Sequence, residues 1–334
     1  MTVKVAINGF GRIGRGFLRA VLAGKADVDV VAVNDLGDPG TLAHLLAYDS
    51  TMGRLPAEVA AEDGGILVDG RPIAVRRERD PGRLPWADLG VDVVVESSGA
   101  FTDARKASAH LDAGARKVLI SAPATHEDFT LAYGINHDRY DAGAHHVVSN
   151  ASCTTNCLAP LAQVLQTRFG LEHGLMTTVH AYTQDQNLQD GPHRDARRAR
   201  SAALNIVPTS TGAATAIGKV LPGLDGRLAG LSLRVPVPVG SMTDLTAYLS
   251  RPVAAEEVNA AFAEAAAGPL RGVLRYSDAP LVSTDIVGDP ASCVFDAPLT
   301  TVAAGGRQVK VFGWYDNESG FSHRLVDAVR LLGA

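Results

Sequence analysis

The segment Asn8-Gly9-Phe10-Gly11-Arg12-Ile13-Gly14-Arg15 lies between an apolar run, Val3–Ile7, and a helical pattern, Arg12–Leu22. Gly9, Gly11 and Gly14 form the spacing G-x-G-x-x-G in the strand–turn–helix context that this motif requires. The first glycine permits a tight turn, the second lets a pyrophosphate approach the backbone, and the third allows close helix–sheet packing. The segment therefore predicts a dinucleotide-binding turn; a glycine-rich turn that serves packing alone is the alternative.

Asp35 adds information to this motif. It ends the next strand pattern, Val28–Val33, about twenty residues beyond Gly14, where a carboxylate can accept hydrogen bonds from the ribose hydroxyls. Because its charge would oppose a 2′-phosphate, we expect NAD rather than NADP as the cofactor.

The rest of the first half alternates strand and helix patterns, which predicts a Rossmann-type, doubly wound parallel sheet of the α/β class. The further predicted elements are a helical stretch at Thr41–Ala47, a hairpin at Ile66–Val75 around Asp69-Gly70, a buried strand at Asp92–Glu96, a helix at Asp103–Ala113, and strands at Val118–Ser121 and His146–Ser149. Asp-Gly tolerates the positive φ of a tight turn. We expect this domain to span residues 1–150.

Beyond residue 150 the pattern changes to longer strands with fewer helices. Strands are predicted at Leu175–His180, Leu231–Val237, Met242–Ser250 and Gln308–Tyr315, and helices at Ala255–Ala266 and Ser319–Leu332. Residues 151–318 are therefore expected to form an α+β catalytic domain with a mainly antiparallel sheet. The polar, Arg-rich stretch Ala181–Asn205 lacks periodicity, and loops of this length are usually functional.

Composition excludes several classes of protein. The 334 residues carry a net charge of −5 and 46% hydrophobic residues, typical of a globular chain and a poor basis for nucleic-acid binding. Apolar runs are too short for a membrane span, and the N-terminus has no signal-peptide pattern. Cys153, Cys157 and Cys293 are too few for a disulfide framework, so a cytoplasmic location is expected.

The segment Ser149-Asn150-Ala151-Ser152-Cys153-Thr154-Thr155-Asn156-Cys157 carries the strongest chemistry. Cys153 is expected near the start of a helix running to about Phe169, where the dipole and free N–H groups lower a thiol pKa. Pro160 lies inside that helix and predicts a kink or an irregular first turn. Two small buried residues are the structural alternative, and a metal site is a poor one because no adjacent histidine completes a ligand set.

A reactive thiol needs a base, and His180 is the candidate because it ends a strand, whereas most of the ten histidines stand in polar, surface-like contexts. From spacing alone the pairing with Cys153 is a guess, and a structural histidine is the alternative. Arginines of the long loop, together with Arg234, suit phosphate, as does the run Thr209–Gly212 before a helix. The loop arginines are Arg194, Arg197, Arg198 and Arg200. A solvated or subunit-facing salt-bridge surface is the alternative for these arginines.

Taken together, the motifs resemble the phosphorylating glyceraldehyde-3-phosphate dehydrogenase family over essentially the whole chain. The matching stretches are I-N-G-F-G-R-I-G-R at 7–15, V-V-A-V-N-D-L at 30–36, S-N-A-S-C-T-T-N-C-L-A-P at 149–160, T-T-V-H-A-Y-T at 177–183, S-T-G-A-A at 210–214 and W-Y-D-N-E-S-G-F-S-H at 314–323. The resemblance implies conversion of glyceraldehyde 3-phosphate, NAD and inorganic phosphate to 1,3-bisphosphoglycerate and NADH through a cysteine thioester.

The resemblance also implies roles for individual residues. Cys153 corresponds to the nucleophile and His180 to the residue that activates it. The implied cofactor residues, besides the glycines, are Arg12, Ile13, Asp35, Arg79, Ser121 and Asn317. The implied site for the C3 phosphate of the substrate is Thr183, Arg200 and Arg234, and that for the attacking phosphate is Ser152, Thr154, Thr211 and Gly212. No metal is implied.

Members of this family are homotetramers, whose long loop lies near a neighbouring subunit's cofactor and whose C-terminal helix, here 319–334, packs on the cofactor domain. The chain departs from many members at Val237 and Val239, where Thr and Asn are common, and at Gly191-Pro192, where NAD-specific members often have Leu-Pro. Erythrose-4-phosphate dehydrogenase, which hydrolyses the thioester, is the nearest alternative. A non-catalytic binding protein is the other, and the presence of Cys153 and His180 disfavours it.

Overall fold

The computed structural model describes residues 2–24 and 27–334, which form two compact units. The first unit comprises the chain up to Leu131 together with His137–Ala151 and Ser322–Ala334. The second comprises Ala132–Asn136 and Ser152–Phe321. The C-terminal residues therefore belong with the N-terminal ones rather than with the segment that precedes them.

The first unit is built on a mainly parallel sheet. Its strands are β1 (Val3–Asn8), β2 (Val28–Asn34), β3 (Tyr48–Asp49), β4 (Gly53–Arg54), β5 (Val59–Glu62), β6 (Gly65–Val68), β7 (Arg71–Arg76), β8 (Val93–Glu96), β9 (Lys117–Ile120), β10 (Phe129–Thr130) and β11 (Val147–Ser149). Apart from the small β3–β4 pair, the order is β10-β11-β9-β8-β1-β2-β7-β6-β5. Neighbours from β10 to β7 are parallel, while β7, β6 and β5 are antiparallel. This confirms the predicted parallel sheet.

Local sequence accounts for most of these elements. The four residues of β8 are buried, as expected for an aliphatic strand covered on both faces. Asp69 and Gly70 take φ values of 49° and 76° between β6 and β7, which confirms the hairpin. The first five helices of the chain all lie in this unit: α1 (Arg12–Gly24), α2 (Pro39–Ala47), α3 (Trp86–Leu89), α4 (Ala104–Ala107) and α5 (Ala109–Asp112).

The single helix predicted over Asp103–Ala113 is wrong. The structure has two short helices, α4 and α5, that meet at Ser108. The Ser108 hydroxyl donates to the carbonyl oxygen of Arg105 at 2.9 Å, a local bond that competes with regular helix.

The second unit contains a mainly antiparallel sheet. Its strands are β12 (Leu171–Ala181), β13 (Val207–Thr209), β14 (Leu228–Val235), β15 (Ser241–Leu249), β16 (Leu274–Ser277), β17 (Cys293–Asp296), β18 (Thr301–Ala303) and β19 (Gln308–Tyr315). The order is β13-β14-β12-β15-β19-β17-β16, with β18 beside β19. Only the pairs β12–β14 and β16–β17 are parallel among the described residues. The predicted fold class is therefore confirmed.

A long buried helix organises this unit. Its helices are α6 (Cys153–Phe169), α7 (Ala213–Val220) and α8 (Ala255–Ala267). The last helix of the chain, α9 (Ser319–Leu332), belongs to the first unit from Ser322 onward. Leu158, Leu161 and Leu165 of α6 are fully buried in the core of the unit. The helix runs from Cys153 to Phe169 with Pro160 inside it, so the proline does not end it. In the described part of the chain, no helix is long and apolar enough to cross a membrane.

Candidate active site

The glycine turn between β1 and α1 is shaped by close backbone approaches. Gly9 has φ +91°, and a Cβ there would lie 2.4 Å from Cα of Ser98. A Cβ on Gly14 would lie 2.3 Å from the Gly9 carbonyl oxygen, whereas one on Gly11 would have no atom within 4 Å. The turn therefore needs glycine at the first and third positions for packing, and the second leaves open backbone for a pyrophosphate.

A cleft opens beside this turn. It lies at the carboxyl ends of β1, β8 and β9, where the strand order reverses, and this is the place at which such sheets bind ligands. The lining residues are Ile13, Glu96, Ser97, Gly99, Phe101, Thr102, Ile120, Ser121 and Ala122. The residues present thus fit a dinucleotide, and they include the predicted Ile13 and Ser121.

The remaining predicted cofactor residues of the first unit follow β2 and β7 or start α1. Asp35 accepts from the N–H groups of Phe10 at 2.7 Å and Gly37 at 2.9 Å, so its carboxylate is fixed against the glycine turn. Arg12 forms an ion pair with Asp49 at 3.0 Å. Arg79 is exposed shortly after β7 ends.

Cys153 is the first residue of α6. Ser152 precedes it as the N-cap, and its hydroxyl oxygen accepts from the N–H of Thr155 at 3.0 Å. Cys157, one turn further, is fully buried, and its thiol donates to the Gly313 carbonyl at 3.4 Å. Cys293 is also fully buried. Of these thiols, Cys153 alone is partly exposed.

His180 lies near the end of β12 with its ring directed at this thiol. The Sγ atom of Cys153 is 3.4 Å from Nε2 of His180. The Nδ1 atom lies 2.7 Å from the carbonyl oxygen of Ala181, which can only accept a hydrogen bond, so Nδ1 carries the proton. The Nε2 atom is therefore unprotonated and faces the thiol as an acceptor, the arrangement that a base requires.

Burial favours the neutral forms of both Cys153 and His180. Burial raises the pKa of the Cys153 thiol to about 11, while the charge of Arg234 and hydrogen bonds from Thr154 act in the opposite direction. Burial, followed by the charge of Arg234, lowers the pKa of His180 to about 3. The lowered thiol pKa expected from the helix start is thus wrong, because desolvation is the largest effect on this thiol and raises its pKa.

A cationic subsite adjoins the pair. Arg234 stands opposite His180 in the β12–β14 register, and its Nη1 donates to the Thr183 hydroxyl at 3.0 Å. Its Nε is buried and has no hydrogen-bond partner among the residues that the structure describes. Arg200 lies elsewhere on the loop, 64% exposed, with Nε 2.6 Å from a carboxylate oxygen of Asp190. Of the three residues predicted for the C3 phosphate, Arg234 and Thr183 are therefore in contact, whereas Arg200 is paired with Asp190.

Arg198 is the loop arginine whose charge acts on this centre, since it lowers the pKa values of both His180 and Arg234. Its Nε donates to the Thr209 hydroxyl at 2.9 Å. The sequence placed Arg198 in the cationic cluster without assigning it a role. No spacing rule separates it from Arg200, because the loop has no regular period.

The other predicted phosphate residues lie at two helix starts. Gly212 is the N-cap of α7, and the Thr211 hydroxyl oxygen accepts from the N–H of Ala213 at 3.2 Å. Thr154 instead points inward, with its hydroxyl 2.9 Å from that of Tyr315.

Asn317, the predicted cofactor residue of the second unit, is buried, and its Oδ1 accepts from the Ser241 hydroxyl at 3.0 Å.

Tyr315 is a residue near the centre to which the sequence assigned no role. Its hydroxyl also lies 2.7 Å from that of Thr178, and its ring meets the His180 ring edge-on at 5.9 Å. Burial raises its pKa well above the ordinary value, so it stays protonated. Buried and partly buried residues alternate along β19, and Tyr315 is one of the buried ones. This alternation is the sequence pattern from which its inward orientation could have been predicted.

Comparison with known proteins agrees with this geometry. The model of the glyceraldehyde 3-phosphate dehydrogenase NAD binding domain matches residues 3–104, and that of the C-terminal domain matches residues 152–317. Glyceraldehyde-3-phosphate dehydrogenase 2 of Streptomyces arenae is 64% identical over 334 residues, covering 100% of this chain and 99% of the relative.

Two further relatives have the same coverage. Glyceraldehyde-3-phosphate dehydrogenase 1 of Streptomyces avermitilis is 63% identical over 333 residues, and glyceraldehyde-3-phosphate dehydrogenase of Mycobacterium avium is 62% identical over 339 residues; each match covers 100% of this chain and 99% of the relative. None of these findings supports the erythrose-4-phosphate alternative. With both domain models matched in order and identity above 60% along its whole length, the chain belongs to the glyceraldehyde-3-phosphate dehydrogenase family of NAD-dependent oxidoreductases.

Proposed function

We propose that the protein oxidises glyceraldehyde 3-phosphate with NAD and inorganic phosphate, giving 1,3-bisphosphoglycerate and NADH. The observation that carries the proposal is the 3.4 Å approach of Cys153 Sγ to an unprotonated His180 Nε2, beside the Arg234–Thr183 pair. A nucleophile, a base and a phosphate-binding cation are thereby collected on one unit of the protein.

In the first half of the reaction Sγ of Cys153 bonds to the aldehyde carbon, and the thiol proton passes by way of Nε2 of His180 to the aldehyde oxygen, which leaves Nε2 unprotonated again. The resulting hemithioacetal loses its hydroxyl proton to the base as hydride leaves the same carbon. NAD, when bound, supplies the hydride acceptor. Covalent catalysis thus divides one difficult oxidation and acyl transfer into two easier steps.

In the second half an inorganic phosphate oxygen attacks the thioester carbon, and the Cys153 sulfur leaves as the thiolate. Thr183 and Arg234 are proposed to hold the C3 phosphate of the substrate. Ser152, Thr154, Thr211 and Gly212 are the proposed surroundings of the attacking phosphate, with Thr154 acting through its backbone because its hydroxyl is engaged by Tyr315. Arg200 contributes to either site only when its pair with Asp190 opens.

The dinucleotide is proposed to lie over the glycine turn. Gly9, Gly11 and Gly14 with Arg12 and Ile13 would receive the pyrophosphate, while Asp35 and Arg79 would hold the adenosine half. Ser121 and Asn317 would contact the nicotinamide half. Support comes from the open backbone at Gly11 and from Asp35, whose charge disfavours the 2′-phosphate of NADP.

We further propose a homotetramer, with residues 1–150 and 151–318 as the cofactor and catalytic domains and 319–334 packed on the former. Apolar side chains exposed on the second unit support assembly: Leu175 is 68% exposed, Leu188 75%, Leu204 81% and Ile206 66%. The three free thiols suit a cytoplasmic location, where cysteines stay reduced.

A steady-state assay of NADH formation from glyceraldehyde 3-phosphate tests the proposal. We expect turnover with NAD to depend strictly on inorganic phosphate, and NADP to be a much poorer cofactor. NADH formation without phosphate would instead indicate that water cleaves the thioester. Absence of turnover under both conditions would refute the proposed reaction.

A further inference from the structure

A row of polar side chains lies buried at the carboxyl ends of three adjacent parallel strands. Asn34, Asn8 and Glu96 end β2, β1 and β8, and the register sets Asn8 beside each of the other two. Each of the three is at most 5% exposed. Since burying such groups is costly unless they are fully hydrogen-bonded, their presence here calls for a physical account.

The Glu96 carboxylate is surrounded by donors. Its Oε2 accepts from Asn8 Nδ2 at 2.5 Å and lies 3.1 Å from His110 Nε2. Its Oε1 accepts from the backbone N–H of Ser98 at 2.8 Å and from the Ser98 hydroxyl at 2.5 Å. Four donors on two oxygens compensate the buried charge without a lysine or arginine partner.

Trp86 sets the direction of the His110 contact. Its Nε1 donates to His110 Nδ1 at 2.9 Å, and an indole nitrogen can only donate. His110 Nδ1 is therefore an acceptor, and the ring carries its proton on Nε2, directed at Glu96. Both rings are fully buried, so this arrangement has no alternative solvent partner.

The asparagines connect the carboxylate to the cofactor-binding segments. Asn34 donates to Asn8 Oδ1 at 2.7 Å and to the Glu78 carbonyl at 2.9 Å, while its own Oδ1 accepts from the Glu78 N–H at 2.9 Å. Both amide orientations are thereby fixed. Asn8 immediately precedes Gly9, and Asn34 immediately precedes Asp35, so the network ends on the two segments that the dinucleotide needs.

The loop after β8 completes the connection. The Ser97 hydroxyl donates to the Gly9 carbonyl at 2.7 Å, and Ser98, which donates twice to Glu96, is the residue that packs against Gly9. Glu96 and Ser97 both line the cleft. A displacement of the carboxylate would therefore reach the glycine turn through Asn8 and through this loop.

We propose that Glu96 is a positioning residue for NAD: its carboxylate, oriented by His110 and Trp86, holds the Gly9 turn, the Asp35 strand end and the Ser97-Ser98 loop in the binding geometry. The inference rests on dinucleotide binding in this cleft, as in the proposed function.

A purely architectural role makes a different prediction. If the network served sheet register alone, its disruption would lower the stability of the folded protein and leave the NAD affinity of the folded fraction unchanged. A positioning role requires the affinity to fall in protein that is still folded. The two are separated by measuring binding and stability on the same variants.

Glu96→Gln is the principal variant, since whichever way its amide turns, the NH2 group meets either Asn8 and His110 or Ser98. Ser98→Ala is milder: at an exposed residue it removes a hydroxyl that donates to Glu96 and accepts from the N–H of Ala100, and it keeps the backbone N–H of Ser98. Glu62→Gln, the same change at an exposed position on β5, is the matched control. NAD binding to the full chain is measured by fluorescence titration without aldehyde, with thermal unfolding and the alkylation rate of Cys153 by iodoacetamide recorded in parallel.

For Glu96→Gln we expect the Kd for NAD to rise about tenfold, because the penalty for leaving a buried donor unpaired is of the size that a tenfold change in Kd represents. For Ser98→Ala we expect a rise of about threefold, with Cys153 alkylation unchanged in both and no effect of Glu62→Gln. Wild-type Kd in folded Glu96→Gln overturns the proposal. If Glu96→Gln does not fold, a wild-type Kd for NAD in Ser98→Ala overturns the proposal instead. Wild-type protein that binds NAD but oxidises no aldehyde would refute the proposed reaction and leave this inference standing.

Discussion

Arg234 and His180 occupy partnered positions on two parallel strands, and both side chains donate to the carbonyl oxygen of Ala181. The shared acceptor fixes the cation next to the base. The charge of Arg234 lowers the pKa of the Cys153 thiol, where it opposes the larger effect of burial. It also lowers the pKa of His180, where it adds to the larger effect of burial. One guanidinium therefore favours the thiolate and keeps the imidazole free to accept a proton, besides being placed for a phosphate.

Replacing Arg234 by Leu should raise the KM for glyceraldehyde 3-phosphate about tenfold or more, the cost of a lost charged hydrogen bond to phosphate. Alkylation of Cys153 at fixed pH should also slow, because the thiol loses a stabilising charge. Arg200→Leu is the matched control, since Arg200 is exposed and paired with Asp190. A larger KM effect from Arg200 than from Arg234 would show that the phosphate lies on the loop instead.

The two cysteines of the α6 segment should behave differently. Cys153→Ser is expected to lower kcat about a thousandfold or more, because the thioester cannot form. Cys157→Ser should keep most of the activity and lose some stability, since its side chain is buried against Gly313. Steady-state rates with thermal unfolding of both variants provide the check. Comparable losses of kcat would contradict the assignment of the nucleophile.

The α6 segment and the glycine turn were predictable from sequence because their patterns are local. Cys153 starts α6 and Phe169 ends it as expected, and the three glycines between a strand pattern and a helix pattern predict the turn. Ser108, by contrast, divides a predicted helix through one side-chain bond to Arg105, a contact that helical periodicity does not register.

Long-range polar contacts were beyond the sequence patterns. His110 is fully buried, although histidines in this chain stand mostly in polar contexts, because Trp86 and Glu96 approach it from distant elements. The difference between Arg198 and Arg200 likewise depends on where an irregular loop folds. Burial also reversed the thiol pKa expected at the start of α6, since desolvation is a property of the packed unit and not of the helix.

Acid should destabilise the protein through His180. Its pKa is lowered to about 3 from an ordinary 6.5, so between these values the unfolded ring binds a proton that the folded ring does not. The free energy of unfolding should therefore fall as pH drops below 6.5, by about 2 kcal/mol at about pH 5. Urea unfolding of wild type and His180→Asn at neutral and acid pH tests this, with a shallower pH dependence expected for the variant. Equal slopes would show that His180 is not the group responsible.

The alkaline side should involve Cys153. Burial raises the pKa of its thiol from an ordinary 9.0 to about 11 in the folded protein. Between pH 9 and pH 11 the unfolded thiol therefore loses a proton that the folded one keeps, so the free energy of unfolding should be constant below pH 9 and decline across this range. Cys153→Ala should flatten that decline, while Cys157→Ala serves as the control on the same helix. The reactivity of Cys153 with iodoacetamide in the free protein should rise steadily across the same window.

Tyr315→Phe should lower the stability of the folded protein while the position of the base, His180, is kept. The change removes the hydroxyl that joins Thr154 and Thr178, so Thr154 loses this contact while Thr178 keeps its bond to the Met242 carbonyl at 3.3 Å. We expect a cost of about 1–3 kcal/mol in the free energy of unfolding. The ring that packs edge-on against His180 remains, so the position of the base should be kept. A variant with wild-type stability would show that the hydroxyl bridge contributes nothing.

Two alanine substitutions in the glycine turn should separate folding from cofactor binding. At Gly9, φ +91° and a Cβ 2.4 Å from Cα of Ser98 make a side chain incompatible with the packed turn, so Gly9→Ala should lower both the stability and the affinity for NAD. At Gly11 a Cβ would meet no atom within 4 Å, so Gly11→Ala should fold with wild-type stability. Its methyl group would still occupy the space needed for pyrophosphate approach, and the Kd for NAD should rise about tenfold or more. Thermal unfolding and NAD titration of the two variants give the comparison; normal NAD binding by Gly11→Ala would place the pyrophosphate away from this turn.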